Sequence, residues 1–143
     1  MIVIDANILL YAHDTASPAH ARSRAWLEAT IAAESDVRIG VATALAFVRI
    51  ATDPRVYTTP MSSSDAIGIV TRLLQLPNVS LVNPSDRHWA VFAAVAADGQ
   101  ARGPMLMDAH LAALVIEHGA ILATADRDFR RFTGLRLVDP TAA

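Results

Sequence analysis

Residues 1–11 read MIVIDANILLY, and one carboxylate in that stretch decides how the remainder is read. Ile2, Val3 and Ile4 make a short apolar run of the kind that forms a buried strand. Asp5 follows at once, and Asn7 stands two residues further on. A carboxylate where a core begins is costly to strip of water unless something nearby compensates it. The strand therefore ends on a charge that needs a partner, and the partner must come from elsewhere in the chain.

Working outward, an apolar segment from Ile8 to Ala12 leads into the turn-like DTAS. Ser17-Pro18 supplies a cap and a first-turn proline for a helix to about Ala33, with Ala21, Ala25 and Ile31 among its apolar positions. Val37 to Val41 reads as a second strand, and Thr43 as the cap of a helix through LAFVRIA that Asp53-Pro54 ends. Ser62 to Ser64 cap a further helix with Ile67, Val70, Leu73 and Leu74 on one face. Val79 to Val82 is a third strand, and Asn83-Pro84-Ser85 opens the helix DRHWAVFAAVAA, closed by Asp98-Gly99. After the loop QARGP, the spacing predicts a helix from Asp108 to His118 stopped by Gly119. A fourth strand spans Ile121 to Thr124 and a short fifth Leu135 to Val138.

Strands alternating with helices imply an α/β fold: one domain over residues 1–143 with a central, mainly parallel sheet of four to five strands flanked by helices. In such sheets, ligands sit beyond the carboxyl ends of the strands, which is where Asp5 falls. Asp126 follows the strand ILAT by one residue, and Asp128 comes two later. Asp108 joins that edge if its helix starts there and runs back to the start of the fourth strand.

Several carboxylates within a few ångströms cannot all stay ionised without a cation. Hard oxygen ligands of this kind suit Mg²⁺ or Mn²⁺, so Asp5, Asp108, Asp126 and Asp128 are read as metal ligands. Such an ion polarises a phosphoryl oxygen and acidifies water, the chemistry of phosphodiester hydrolysis. Each aspartate also has an ordinary reading, as a helix cap for Asp108 and as a turn former for Asp128.

Composition narrows the field. The net charge of −2 argues against a strongly basic nucleic-acid binder, although all 12 basic residues are arginine. Without cysteine there is neither a disulfide framework nor a thiolate metal site, which fits a cytoplasmic protein. Neither a signal peptide nor a membrane-spanning run is expected. A receiver domain would use a lysine, which the chain lacks. A dinucleotide binder would need a glycine-rich first turn, and none is present.

MIVIDANILLY, LAFVRIATDPRVY, DAHLAALVIEHGA and ATADRDFRRFTGLRLVDP together resemble the PIN-domain ribonucleases, and more narrowly the VapC toxins of bacterial type II toxin–antitoxin systems. The resemblance implies a three-layer PIN-like fold and a Mg²⁺- or Mn²⁺-dependent endoribonuclease acting on structured RNA such as transfer or ribosomal RNA. It also implies a homodimer and inhibition by a small VapB-type antitoxin. It places Asp5, Asp108 and Asp126 in an acidic quartet, with Asp128 beside them. The quartet's glutamate belongs where this chain has Ala46, and Glu28, Glu34 and Glu117 are poorly placed to replace it. That substitution keeps open a catalytically weak or inactive module that binds RNA or a partner. Arg49, one turn beyond Ala46, is the best candidate for gripping RNA phosphate, among arginines that also include Arg127, Arg130, Arg131 and Arg136. Asn7 and Thr124 flank the acids and are read as contacts to substrate or water, with local backbone bonding as the alternative. The five histidines show no ligand pair, and Trp26, Trp89, Phe47 and Phe92 read as core or dimer contacts.

Overall fold

A computed structural model describes residues 1–142. Five strands, β1 (Ile2–Ile4), β2 (Val37–Gly40), β3 (Val79–Val82), β4 (Ile121–Ala123) and β5 (Leu137–Val138), form one sheet in the order β3-β2-β1-β4-β5. Every pairing is parallel, and Ile4 stands opposite Ala123 at the carboxyl end of the central pair. Six α-helices cover it: α1 (Ala6–Ala12), α2 (His20–Ala32), α3 (Val41–Ala51), α4 (Ser63–Leu74), α5 (His88–Asp98) and α6 (Met105–Glu117). A 3-10 helix occupies Arg127–Arg131.

The alternation of side chains along β1 explains the three layers. Val3 points to the face packed by Leu111, Leu114 and Val115 of α6, while Ile4 points to the face holding Ile8, Leu9 and Phe47 of α1 and α3. Both residues are buried, as a parallel sheet covered on both faces requires.

Several boundaries differ from the sequence reading, each for a local reason. The segment Ile8 to Ala12 is part of a helix, α1, and Asp5 is its N-cap. The second helix begins at His20, because the Ser17 hydroxyl accepts from Ala19 N in a preceding turn. That helix buries Ser23 and Leu27 and leaves Ala21 and Ala25 exposed. Val41 belongs to α3, not to the strand: Gly40 is the cap, and Thr43 is buried inside the first turn. A Cβ on Gly40 would lie 3.2 Å from Leu114 Cδ2, so the strand-to-helix joint is packed tightly against α6. In α4, Ser62 caps as expected, but Ala66 faces the core and Ile67 faces solvent. The turn at Ser85, whose hydroxyl accepts from Arg87 N, delays α5 to His88.

α6 starts at Met105, three residues ahead of the expected Asp108, because Pro104 suits a helix start and acts as its N-cap. Asp108 therefore stands in the first turn and caps nothing. Gly119, with φ +62°, ends the helix as read. Phe47 is core as expected, Trp26 and Phe92 are half-buried, and Trp89 is 77% exposed. No helix among the described residues is long and apolar enough to cross a membrane.

Candidate active site

The acids are assembled by backbone geometry. The Asp5 N–H donates to Ala123 O at 3.0 Å, which holds the end of β1 against the end of β4. Thr124, the first residue beyond β4, is buried, and its hydroxyl is used three times. It donates to Asp5 Oδ2 at 2.7 Å and accepts from Asp126 N at 3.0 Å and from Asn7 Nδ2 at 3.2 Å. The Asn7 carbonyl closes the loop by accepting from Ala125 N at 3.4 Å. Asn7 and Thr124, expected at the substrate, thus spend their polar atoms on setting Asp5 and Asp126.

Asp5 Oδ1 accepts from Ala6 N at 2.7 Å, and Asp126 Oδ1 accepts from Asp128 N at 2.9 Å while capping the 3-10 helix. Capping leaves lone pairs to spare on both carboxylates, so it does not compete with a ligand role. Asp108 arrives from α6 on the far side. Its carboxyl is pushed up to about 6 by burial and by the charges of Asp126, Asp5 and Asp128, with Arg131 opposing. Burial also raises Asp5, against the bonds from Thr124 and Ala6, and the Asp126 charge adds to the rise. Asp5, Asp108, Asp126 and Asp128 are therefore one electrostatic group, drawn from three separated parts of the chain.

As placed, no three acidic or imidazole side chains among the described residues stand close enough together to hold a metal ion. The donor chemistry still fits Mg²⁺ or Mn²⁺, which are satisfied by one or two carboxylates with retained water. A zinc or copper site would want nitrogen or sulfur ligands that this edge does not offer.

The glutamates are all engaged elsewhere or remote. Glu28 pairs with Arg24 on the exposed face of α2, and Glu34 is exposed beyond that helix at φ +57°. The Glu117 side chain is fully buried, accepting from Ser85 N and from His88 Nδ1, both at 3.0 Å. His88 Nε2 in turn lies 2.9 Å from His110 Nδ1. Sequence reading missed this chain, although His110 and Glu117 are seven apart and so share a face of α6. Asp53 is held by Arg55, which keeps its carboxyl below the usual range.

Arg49 is exposed on α3, close enough to Asp53 to favour that charge. The cation that does bear on Asp108 is Arg131, tethered by a bond from Nη1 to Gly99 O at 3.2 Å. A Cβ on Gly99 would meet the Phe132 ring at 2.5 Å, so this close approach needs glycine.

With this arrangement in place, comparison with known proteins is decisive. The PIN domain family profile matches residues 2–135. Ribonuclease VapC37 of Mycobacterium tuberculosis is 38% identical over 142 residues, covering 99% of both chains. VapC ribonuclease Mb2897 of Mycobacterium bovis is 37% identical over 140 residues, covering 98% of this chain and 95% of the relative. The chain is a PIN domain of the VapC family. Solved structures agree on the fold. FitAB bound to a DNA fragment superposes with TM-score 0.71 at 18% identity, covering all of this chain and 97% of the other. VapBC2 from Rickettsia felis, also bound to DNA, gives 0.69 at 16% identity with 96% and 98% coverage. The all-parallel sheet and the clustering of acids at its carboxyl edge are thus set in a VapC frame from end to end.

Proposed function

We propose that this VapC-family chain is a Mg²⁺- or Mn²⁺-dependent endoribonuclease toxin that hydrolyses RNA and is silenced by a VapB-type antitoxin. The observation that carries the reading is the joining of Asp5 and Asp126 at one sheet edge through the Thr124 hydroxyl, with Asp108 close enough to feel both charges. Three carboxylates gathered against their own repulsion make sense as a cation site, and a cation there serves phosphodiester hydrolysis.

One or two of Asp5, Asp108 and Asp126 would hold the ion directly, with retained water completing its shell and the remaining carboxylates acting on it through their charge. When bound, the ion would polarise a phosphoryl oxygen and acidify attacking water. The protein's own contribution is orientation. Thr124 holds the Asp5 carboxylate in one rotamer by donating to Oδ2, and the same hydroxyl fixes the Asp126 backbone. Burial and the neighbouring charges raise the Asp108 carboxyl to about 6, so that group carries a proton in mild acid and sheds it near neutrality.

Support for the partners comes from surfaces and relatives. The relatives are named ribonucleases, a structural neighbour from Mycobacterium tuberculosis, VapC20, is described as a sarcin–ricin loop cleaving toxin, and other neighbours are VapBC complexes. Structured RNA is the corresponding substrate class here. Val41 and Leu45 on the helix carrying Ala46, and Met107 beside Asp108, are exposed apolar side chains suited to an antitoxin that reaches the acids. Trp89 and Leu106 offer apolar area for a homodimer.

A second reading, a PIN fold that binds RNA or a partner without cutting, is favoured by one finding: all three glutamates are absent from the acidic edge. Incubation of total bacterial RNA with purified, antitoxin-free protein separates the two. Discrete fragments that disappear with chelator support the nuclease, and intact RNA retained on folded protein supports the binding module.

A further inference from the structure

A 3-10 helix has three residues per turn, so side chains three apart eclipse and a short segment presents three columns. In Arg127–Arg131 and its cap, Phe132, these columns do different things. Phe129 and Phe132 are buried, with ring centroids 6.1 Å apart, and anchor the segment in the core. Asp128 and Arg131 lie near enough to Asp108 for their charges to act on it in opposite senses. Arg127 and Arg130 form the third column. They line a cleft of about 140 Å³ with Ala125 and Asp126 on one side and Leu137 and Asp139 on the other.

Both arginines are exposed. Arg24, Arg38 and Arg55 are ion-paired with Glu28, Asp36 and Asp53, whereas no ion pair among the described residues involves Arg127 or Arg130. One oxygen of each cleft carboxylate is held by the backbone around it: Asp126 Oδ1 accepts from Asp128 N at 2.9 Å, and Asp139 Oδ1 accepts from Thr141 N and Oγ1 at 2.8 and 2.6 Å, and neither carboxylate is ion-paired with Arg127 or Arg130. Asp126 also belongs to the acidic group, so the cleft opens directly beside the site of chemistry.

We propose that this cleft binds a backbone phosphate of the RNA flanking the one that is cut, with Arg127 and Arg130 as fork donors to its oxygens. Guanidinium forks match phosphate geometry, and contacts of this kind set the register of a nucleic acid without reading its sequence. The cleft rests on the ribonuclease reading for its meaning but not for its test. Its contribution is to binding and positioning, so it acts on KM and not on the chemical step.

The test measures binding of a fluorescent single-stranded RNA across a salt series in chelator, where nothing is cut. Wild type is compared with an Arg127→Gln/Arg130→Gln double variant, the corresponding double Lys variant, and Arg87→Gln as a surface control. Loss of that one phosphate contact makes the slope of log K against log salt shallower by about 0.7 in the Gln variant. The Lys variant keeps most of the slope, which excludes misfolding as the cause, and Arg87→Gln matches wild type. In metal, the Gln variant shows KM raised on the order of tenfold with kcat within about twofold. An unchanged slope and KM in the Gln variant overturns the cleft while leaving the nuclease intact. Binding that is sensitive to the two arginines for oligoglutamate but not for RNA also overturns it, in favour of an acidic protein segment. RNA binding with the expected slopes but no cleavage by wild type sinks the nuclease and keeps the cleft.

Discussion

Replacing Thr124 by valine removes one buried hydroxyl and keeps its shape. That hydroxyl serves Asp5 Oδ2, Asp126 N and Asn7 Nδ2 at 2.7, 3.0 and 3.2 Å. A bond to an ionised group contributes about 1.5–3 kcal/mol, and each neutral one about 1 kcal/mol. Asp5 and Asn7 are half-buried, so water recovers part of the loss, leaving a net cost of about 3 kcal/mol. For 143 residues the unfolding entropy is about 0.3 kcal/mol/K, which converts this cost to a Tm drop of about 10 °C. The Thr124 bond is the largest influence lowering the Asp5 carboxyl, so its loss pushes that group up further. The difference between variant and wild type therefore narrows as falling pH protonates Asp5. Thermal unfolding in chelator at neutral pH and again in mild acid measures both effects. A drop under about 3 °C at neutral pH, equivalent to about 1 kcal/mol, would refute the idea that this hydroxyl holds the acidic edge together.

Two further substitutions probe the acids themselves. Asp108 is raised to about 6 in the folded protein, so the native state binds more protons than the unfolded chain between about pH 4 and 6, and stability falls as pH rises through that window. Asp108→Asn escapes the penalty: discounted for solvent screening, it gains on the order of 1 kcal/mol above about pH 6 and nothing below about pH 4. Unfolding midpoints in chelator at the two ends check this, and an unchanged or lower midpoint at neutral pH contradicts it. Ala46→Glu adds a carboxylate to α3 at a half-buried position, and the expected result is a fall on the order of tenfold in the Mn²⁺ concentration needed for half-maximal cleavage. An unchanged metal requirement would mean that position 46 does not reach the ion.

The acidic edge was legible because a carboxylate at or just beyond a strand's end is a strong local signal, met directly at Asp5 and three residues past β4 at Asp126. The pairing of Ile4 with Ala123 brings these two ends together, and it rests on the strand order, which the alternation alone does not give. The start of α6 was not legible, since Gly103-Pro104 reads as loop until Pro104 is seen at the helix cap. The inward face of α2 was hidden for another reason. Its alanines carry no strong preference, and packing selected Ser23 and Leu27 instead. ATADRDF read as a turn concealed the three columns of the 3-10 helix, and with them the difference between Arg131, whose charge acts on Asp108, and Arg127 with Arg130, which line the cleft. Side-chain networks joining distant segments, such as Glu117–His88–His110, depend on how α5 and α6 cross, which no spacing within one helix reveals.

The most direct test of the central claim is a Mn²⁺ titration of RNA cleavage by wild type, Asp5→Asn and Asp126→Asn under identical conditions, with each protein shown to be folded. The account predicts saturable, metal-dependent cleavage by wild type and a loss of at least about 10²-fold in both variants at every metal concentration. Cleavage that persists in chelator, or that survives both substitutions, would contradict it.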